Sequence, residues 1–142
     1  MDKYVIIGGR RLEGDVRVDG SKNSILPVLA ATIISGKESV IHNVPELKDV
    51  DLLIGLLRTI GCRCFFENNT IVVKSNSQLN TFIPEKPVRE MRSSIILMGA
   101  MLARHGHVKI SYPGGCEIGP RPIDIHLSGL RRMGTKITEA HG

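Results

Sequence analysis

The sequence predicts an α/β fold assembled from two copies of one unit. Three observations carry that prediction: helical runs that each stop at a glycine, short β-branched runs between them, and a match of the chain to itself. Helical periodicity over 24–34, 49–60, 94–104 and 124–133 is followed by Gly36, Gly61, Gly106 and Gly134, the residue type that accepts the left-handed turn closing a helix. Strand-like runs occupy 39–42, 62–66, 70–74 and 108–111. A shift of 70 residues lays Ser24-Ile25 on Ser94-Ile95, Ala30 on Ala100 and Gly36 on Gly106. A shift of 73 lays Asp51 on Asp124, Leu57 on Leu130, Arg58 on Arg131 and Gly61 on Gly134. Matches in the same order, with the same punctuation, mark a true repeat.

The elements follow in order. Residues 4–7 and 15–18 read as two short strands around Gly8, Gly9 and Gly14, an N-terminal β-hairpin over 1–20. The helix over 24–34 carries Pro27 in its expected first turn, where a missing N–H costs little. A strand over 39–42 and an amphipathic helix over 49–60 come next. The strands 62–66 and 70–74 form a hairpin with Asn68-Asn69 at its turn. The second copy runs from the helix over 94–104 through the strand 108–111 and the helix 124–133 to a further strand at 136–138. The two units span about 21–85 and 86–142.

Composition bounds the function. The chain has 142 residues, 42% apolar and 23% charged, which favours a packed domain over disorder. With no Trp, three Phe and two Tyr, the core must come from Ile, Leu, Val, Met and Ala. A formal charge of +5 and a pI near 9.4 point to anionic partners. Basic residues are spread along the chain with little aromatic interleaving, so small phosphorylated ligands suit it better than nucleic acid. No stretch approaches the roughly 18 apolar residues that span a membrane, and nothing at the N-terminus resembles a signal peptide. Cys62 and Cys64 alternate on one strand, without bridging geometry, and no second pair or nearby histidine completes a metal site. These features predict a cytoplasmic protein with reduced thiols and no metal.

The two copies differ in one place. The second is longer by three residues between its strand and its second helix, where it carries Pro113-Gly114-Gly115-Cys116-Glu117-Ile118-Gly119-Pro120-Arg121-Pro122-Ile123-Asp124; the first has only Asn43-Val44-Pro45. Glycines let backbone amides approach a ligand, prolines stiffen the loop, and a thiol beside a fixed cation becomes a nucleophile or a proton donor. A buried, inert free cysteine is the alternative. The same overlay pairs Lys22 with Arg92 at equivalent helix starts. Helix starts present unpaired amides and partial positive charge, so a basic residue there completes a phosphate or carboxylate site.

Several motifs resemble one family. Ser21-Lys22-Asn23-Ser24 after Gly20, Met91-Arg92-Ser93-Ser94, and above all the loop from Gly114 to Asp124 are similar to the UDP-N-acetylglucosamine enolpyruvyl transferases (1-carboxyvinyltransferases). The likeness extends through Asn43-Val44-Pro45 and Leu47-Lys48-Asp49-Val50-Asp51. The sister family that makes 5-enolpyruvylshikimate 3-phosphate shares the architecture and the early lysine, lacks the cysteine loop, and usually has Lys-Ser where this chain has Lys22-Asn23.

The resemblance implies an inside-out α/β barrel of repeated βαβαββ-type units, incomplete here, with residues 21–142 as part of a first domain. The hairpin over 1–20 would pack with a C-terminal domain absent from these residues. It implies transfer of the enolpyruvyl group of phosphoenolpyruvate to the 3′-hydroxyl of UDP-N-acetylglucosamine, with release of phosphate, the first committed step of peptidoglycan synthesis. Cys116 would be the thiol that protonates or adds to phosphoenolpyruvate and that fosfomycin alkylates. Lys22 and Arg121 would bind the phosphate region, Asn23 the substrate pocket and Arg92 the UDP-sugar. Arg121, Pro122, Ile123, Asp124 and Ile125 would lie along the uridine nucleotide. No metal or organic cofactor is implied. A 142-residue portion is expected to turn over little by itself and to self-associate through exposed faces. The alternatives are a non-catalytic nucleotide-sugar-binding fragment and the sister 3-phosphoshikimate enzyme.

Overall fold

A computed structural model describes residues 3–75, 78–114 and 122–140. The first unit opens with helix α1 (Lys22–Ser35), followed by strand β1 (Glu38–Ile41) and helix α2 (Lys48–Thr59). A hairpin of β2 (Arg63–Glu67) and β3 (Thr70–Lys74) closes it. β3 lies between β1 and β2, antiparallel to both, with Val40 opposite Val72 on one side and Cys64 opposite Val73 on the other. Asn68 and Asn69 turn the hairpin with φ of 49° and 55°, the pair of left-handed residues that matches the twist of the flanking strands.

The second unit contains the 3-10 turn Arg92–Ile95, helix α4 (Ile96–His105), strand β5 (Lys109–Ile110) and helix α5 (Asp124–Arg132). It is preceded by a short strand β4 (Phe82–Ile83) and helix α3 (Glu85–Glu90). β4 and β5 pair in parallel. Gly36 and Gly106 occupy the same left-handed position after α1 and α4, with φ of 65° and 74°.

Burial follows the periodicity. α2 buries Val50, Leu53, Ile54, Leu56 and Leu57 along one stripe, with Asp49 and Asp51 in its first turn and Arg58 in its last, charges that complement the helix dipole. α1 is apolar on more than one side because it packs against both α2 and α4. Leu29, Ile33, Leu53, Leu57, Ile71, Leu97 and Met101 are fully buried in one core shared by the two units. Each such side chain contributes about 1.5–3 kcal/mol by leaving water. Polar ties cross the same region: Ser75 Oγ donates to the Thr32 carbonyl at 3.1 Å, and Arg104 Nη1 from α4 donates to the Ile34 carbonyl at 3.2 Å.

Four expectations need correction. Residues 3–20 carry no strand and form no paired hairpin, and Tyr4, Ile6, Ile7 and Leu12 are each at least 88% exposed. An isolated two-stranded hairpin is marginal in water, and this segment has no sheet beneath it among the described residues. The strand at 136–138 is likewise absent. α1 begins at Lys22, so Pro27 lies in the second turn and costs the helix one backbone hydrogen bond. The helix expected over 94–104 is present, but its first two residues belong to a 3-10 turn that leads into α4.

Candidate functional site

The start of α1 is where the first predicted contacts lie. Ser24 and Ile25 donate to the Ser21 carbonyl at 3.2 and 3.0 Å, which leaves the amides of Lys22 and Asn23 at the open end of the helix. Both side chains are exposed. Lys22 is therefore the first residue of the helix rather than the residue before it. Its Nζ lies 3.0 Å from Asp49 Oδ2 on the first turn of α2. Asp49 is a residue the sequence reading passed over, and 27 residues of separation hide the pairing.

Those two helix starts are held together by backbone packing. A Cβ added to Gly20 would lie 2.2 Å from the Asn43 carbonyl oxygen and 3.1 Å from the Pro45 ring. The passage from Asn43 to Pro45 is itself pinned to the β2–β3 turn. Val44 donates its amide to the Asn69 carbonyl at 2.8 Å, and Asn69 Nδ2 donates to the Val44 carbonyl at 3.1 Å. The short connection of the first unit thus sets the spacing between Lys22 and Asp49.

In the second unit Arg92 begins the 3-10 turn before α4 and is half-buried, the counterpart of Lys22. Ser94 Oγ beneath it donates to the Val88 carbonyl at 3.2 Å, fastening this turn to α3. Ile123 caps α5, Asp124 is its first residue, and Ile125 is 83% exposed. Pro122, Ile123 and Asp124 line a cleft of about 260 Å³ together with Tyr112, Arg131 and Glu139. Tyr112 donates its hydroxyl to Glu139 Oε2 at 2.6 Å, and Arg131 pairs with the same carboxylate. The hydrogen bonds from Tyr112 and Arg131 hold the Glu139 carboxyl below its ordinary range, and the bond to Glu139 raises the Tyr112 hydroxyl. This cluster ties the strand entering the cysteine loop to the helix leaving it.

The loop itself is described only at its ends. Cys116 and Arg121 lie outside the described residues. Gly114 is described, and its close approach is to protein: an added Cβ would sit 1.7 Å from the Arg89 carbonyl oxygen. Its lack of a side chain lets the loop entry lie against the end of α3. Cys62, just before β2, and Cys64, within it, are buried free thiols. Burial, reinforced by Cys64 and opposed by Arg104, pushes Cys62 up to about 12. Burial also raises Cys64, against the nearby Arg58. Neither has the environment of a reactive thiol. Among the described residues no group of three or more His, Cys, Asp or Glu could hold a metal ion, and no helix is long and apolar enough to cross a membrane.

The fold has a solved counterpart. It is similar to the enolpyruvyl transferase NikO from Streptomyces tendae, with a TM-score of 0.74 and 25% identity, over 93% of this chain and 29% of that one. The chain belongs to the EPSP synthase (3-phosphoshikimate 1-carboxyvinyltransferase) family, whose match covers residues 6–142. Among individual proteins it is 54% identical over all 142 residues to UDP-N-acetylglucosamine 1-carboxyvinyltransferase 2 of Caldanaerobacter subterraneus subsp. tengcongensis. It is 44% identical, again over its whole length, to UDP-N-acetylglucosamine 1-carboxyvinyltransferase of Thermotoga maritima. The chain spans about a third of the length of these relatives, 34% in each case.

Proposed function

We propose that this chain is part of an enzyme that transfers the enolpyruvyl group of phosphoenolpyruvate to the 3′-hydroxyl of UDP-N-acetylglucosamine, releasing phosphate for the first committed step of peptidoglycan synthesis in the cytoplasm. The observation that carries this reading is identity of 42–54% along nearly the whole chain to proteins of that name. The retained residues support it: Lys22-Asn23 and Arg92 stand at corresponding helix starts, and the second unit alone carries the cysteine loop.

In this reading the chemistry divides among named groups. Phosphoenolpyruvate must be protonated at its methylene carbon while the sugar hydroxyl attacks C2. The resulting tetrahedral phosphoketal then loses phosphate. Cys116 is the proton donor, and the thiol that fosfomycin alkylates. Lys22 and Arg121 stabilise the phosphate before and as it leaves, a role suited to cations and helix amides fixed in advance. Asn23 and Arg92 hold the UDP-sugar, and Pro122 to Ile125 line the uridine. The aspartate expected to take the proton of the sugar hydroxyl is not among these residues, nor are several arginines for phosphoenolpyruvate. The 142 residues alone are therefore expected to bind ligand with little turnover, because split constellations lose orientation along with groups.

Product analysis tests the reading. The protein carrying this sequence, given phosphoenolpyruvate and UDP-N-acetylglucosamine, should form the enolpyruvyl UDP-sugar and equimolar phosphate. Product from 3-phosphoshikimate instead would assign it to the sister reaction.

A further inference from the structure

We infer that Asp49 is a positioning residue for Lys22, fixing the lysine ammonium at the start of α1 before an anionic substrate arrives. The inference rests on the reading of Lys22 as a phosphate contact and goes beyond it by naming what orients that contact.

Three observations carry it. Lys22 Nζ lies 3.0 Å from Asp49 Oδ2, with the two side chains 51% and 33% exposed. Asp49 sits in the first turn of α2, where an aspartate ordinarily turns back onto the free amides of its own helix. Here neither α1 nor α2 has a side-chain cap at its N-cap residue, Ser21 or Leu47, and the Asp49 carboxylate faces the lysine of the other helix. The support beneath the pair is rigid, because Gly20 abuts the Asn43 carbonyl and Val44 is held to Asn69 by two hydrogen bonds.

Stability does not account for such a pair. Exposed ion pairs add little stability, whereas a free lysine carries rotamer entropy that an anion must remove on binding. Ordering the side chain beforehand moves that cost out of the binding step. An ammonium has three donors, so one can engage Asp49 while two remain for phosphate oxygens. A lysine held by a carboxylate from a separate element, as in the strand Lys–helix Glu pair of protein kinases, is a known way to present a cation to phosphate.

The test uses the protein carrying this sequence and its Asp49→Asn, Asp49→Glu and Lys22→Gln variants, each checked for folding by circular dichroism. In the ligand-free chain, ¹⁵N relaxation of the Lys22 ammonium should show an ordered group that becomes mobile in D49N and is restored in D49E. Phosphoenolpyruvate titrations should show binding weakened about 3- to 10-fold in D49N, within about 2-fold of the parent in D49E, and abolished in K22Q. Equal Lys22 order in parent and D49N, or unchanged or tighter binding in D49N with K22Q inactive in binding, overturns the inference and leaves Lys22 as a contact. Binding by K22Q equal to the parent overturns the reading of Lys22, and the inference with it.

Discussion

Replacing Gly20 by alanine tests whether the spacing between the two helix starts is set where the structure places it. The new Cβ would lie 2.2 Å from the Asn43 carbonyl oxygen, 3.4 Å from its carbon and 3.1 Å from the Pro45 ring. Carbon and oxygen rarely approach closer than about 3.3 Å, so something must move by about 1 Å. The Asn43 carbonyl cannot move freely. Asn43 already has a left-handed backbone, φ 56°, and Val44 is tied to Asn69 through both its amide and its carbonyl. Overpacking against fixed backbone costs about 1–3 kcal/mol, equivalent to a fall in Tm of about 3–10 °C for a chain of this size. Gly55→Ala is the control, because its Cβ meets nothing within 4 Å and the position is interior to α2. It should stabilise by about 0.5–1 kcal/mol through helix propensity. Urea unfolding followed by circular dichroism measures both. A Gly20→Ala chain as stable as the parent, or one no worse than Gly55→Ala, would refute the reasoning.

Other outcomes follow from the same structure. Leu57→Ala, which empties a fully buried position at the centre of the core, should lower unfolding free energy by about 2–5 kcal/mol in the same urea assay. Burial raises Cys62 to about 12, so at neutral pH its thiolate should be much scarcer than that of an ordinary thiol and its alkylation by iodoacetamide correspondingly slow. Peptide mapping of a time course would reveal the contrary as early labelling. His105 is held below its ordinary 6.5 by burial and by the adjacent Arg104 and His107, and its Nε2 is buried without a hydrogen-bond partner. The unfolded chain therefore takes up the proton first as pH falls. The contribution of His105 is complete above pH 6.5 and is lost on acidification below it. His105→Gln should flatten the dependence of stability on pH on the acid side of 6.5, and an unchanged slope in pH-dependent unfolding would contradict that assignment.

Much of the first unit was legible because its signals are local. Gly36 and Gly61 end their helices where expected, Asn68-Asn69 turns its hairpin, and the stripe of Val50, Leu53, Ile54 and Leu57 places α2 on the core. Lys22 and Arg92 each open a helical segment, α1 and the 3-10 turn before α4. What escaped depends on partners distant in sequence. β4 is two residues long and exists by pairing with β5, and α3 is a six-residue helix containing Pro87 that has little periodicity to reveal it. The alternation in residues 4–7 and 15–18 shows a strand-like preference, yet strands need a sheet, and these residues stay unpaired in the structure. Asp49 is the first residue of the helix expected over 49–60, and only the fold shows that its carboxylate turns toward Lys22.

Intact mass followed by peptide mapping after exposure to fosfomycin or phosphoenolpyruvate tests whether Cys116 is the reactive thiol of the cysteine loop. A single adduct on Cys116, with buried Cys62 and Cys64 unmodified, is the expected result. Equal labelling of all three thiols, or an adduct confined to Cys62 or Cys64, would contradict it.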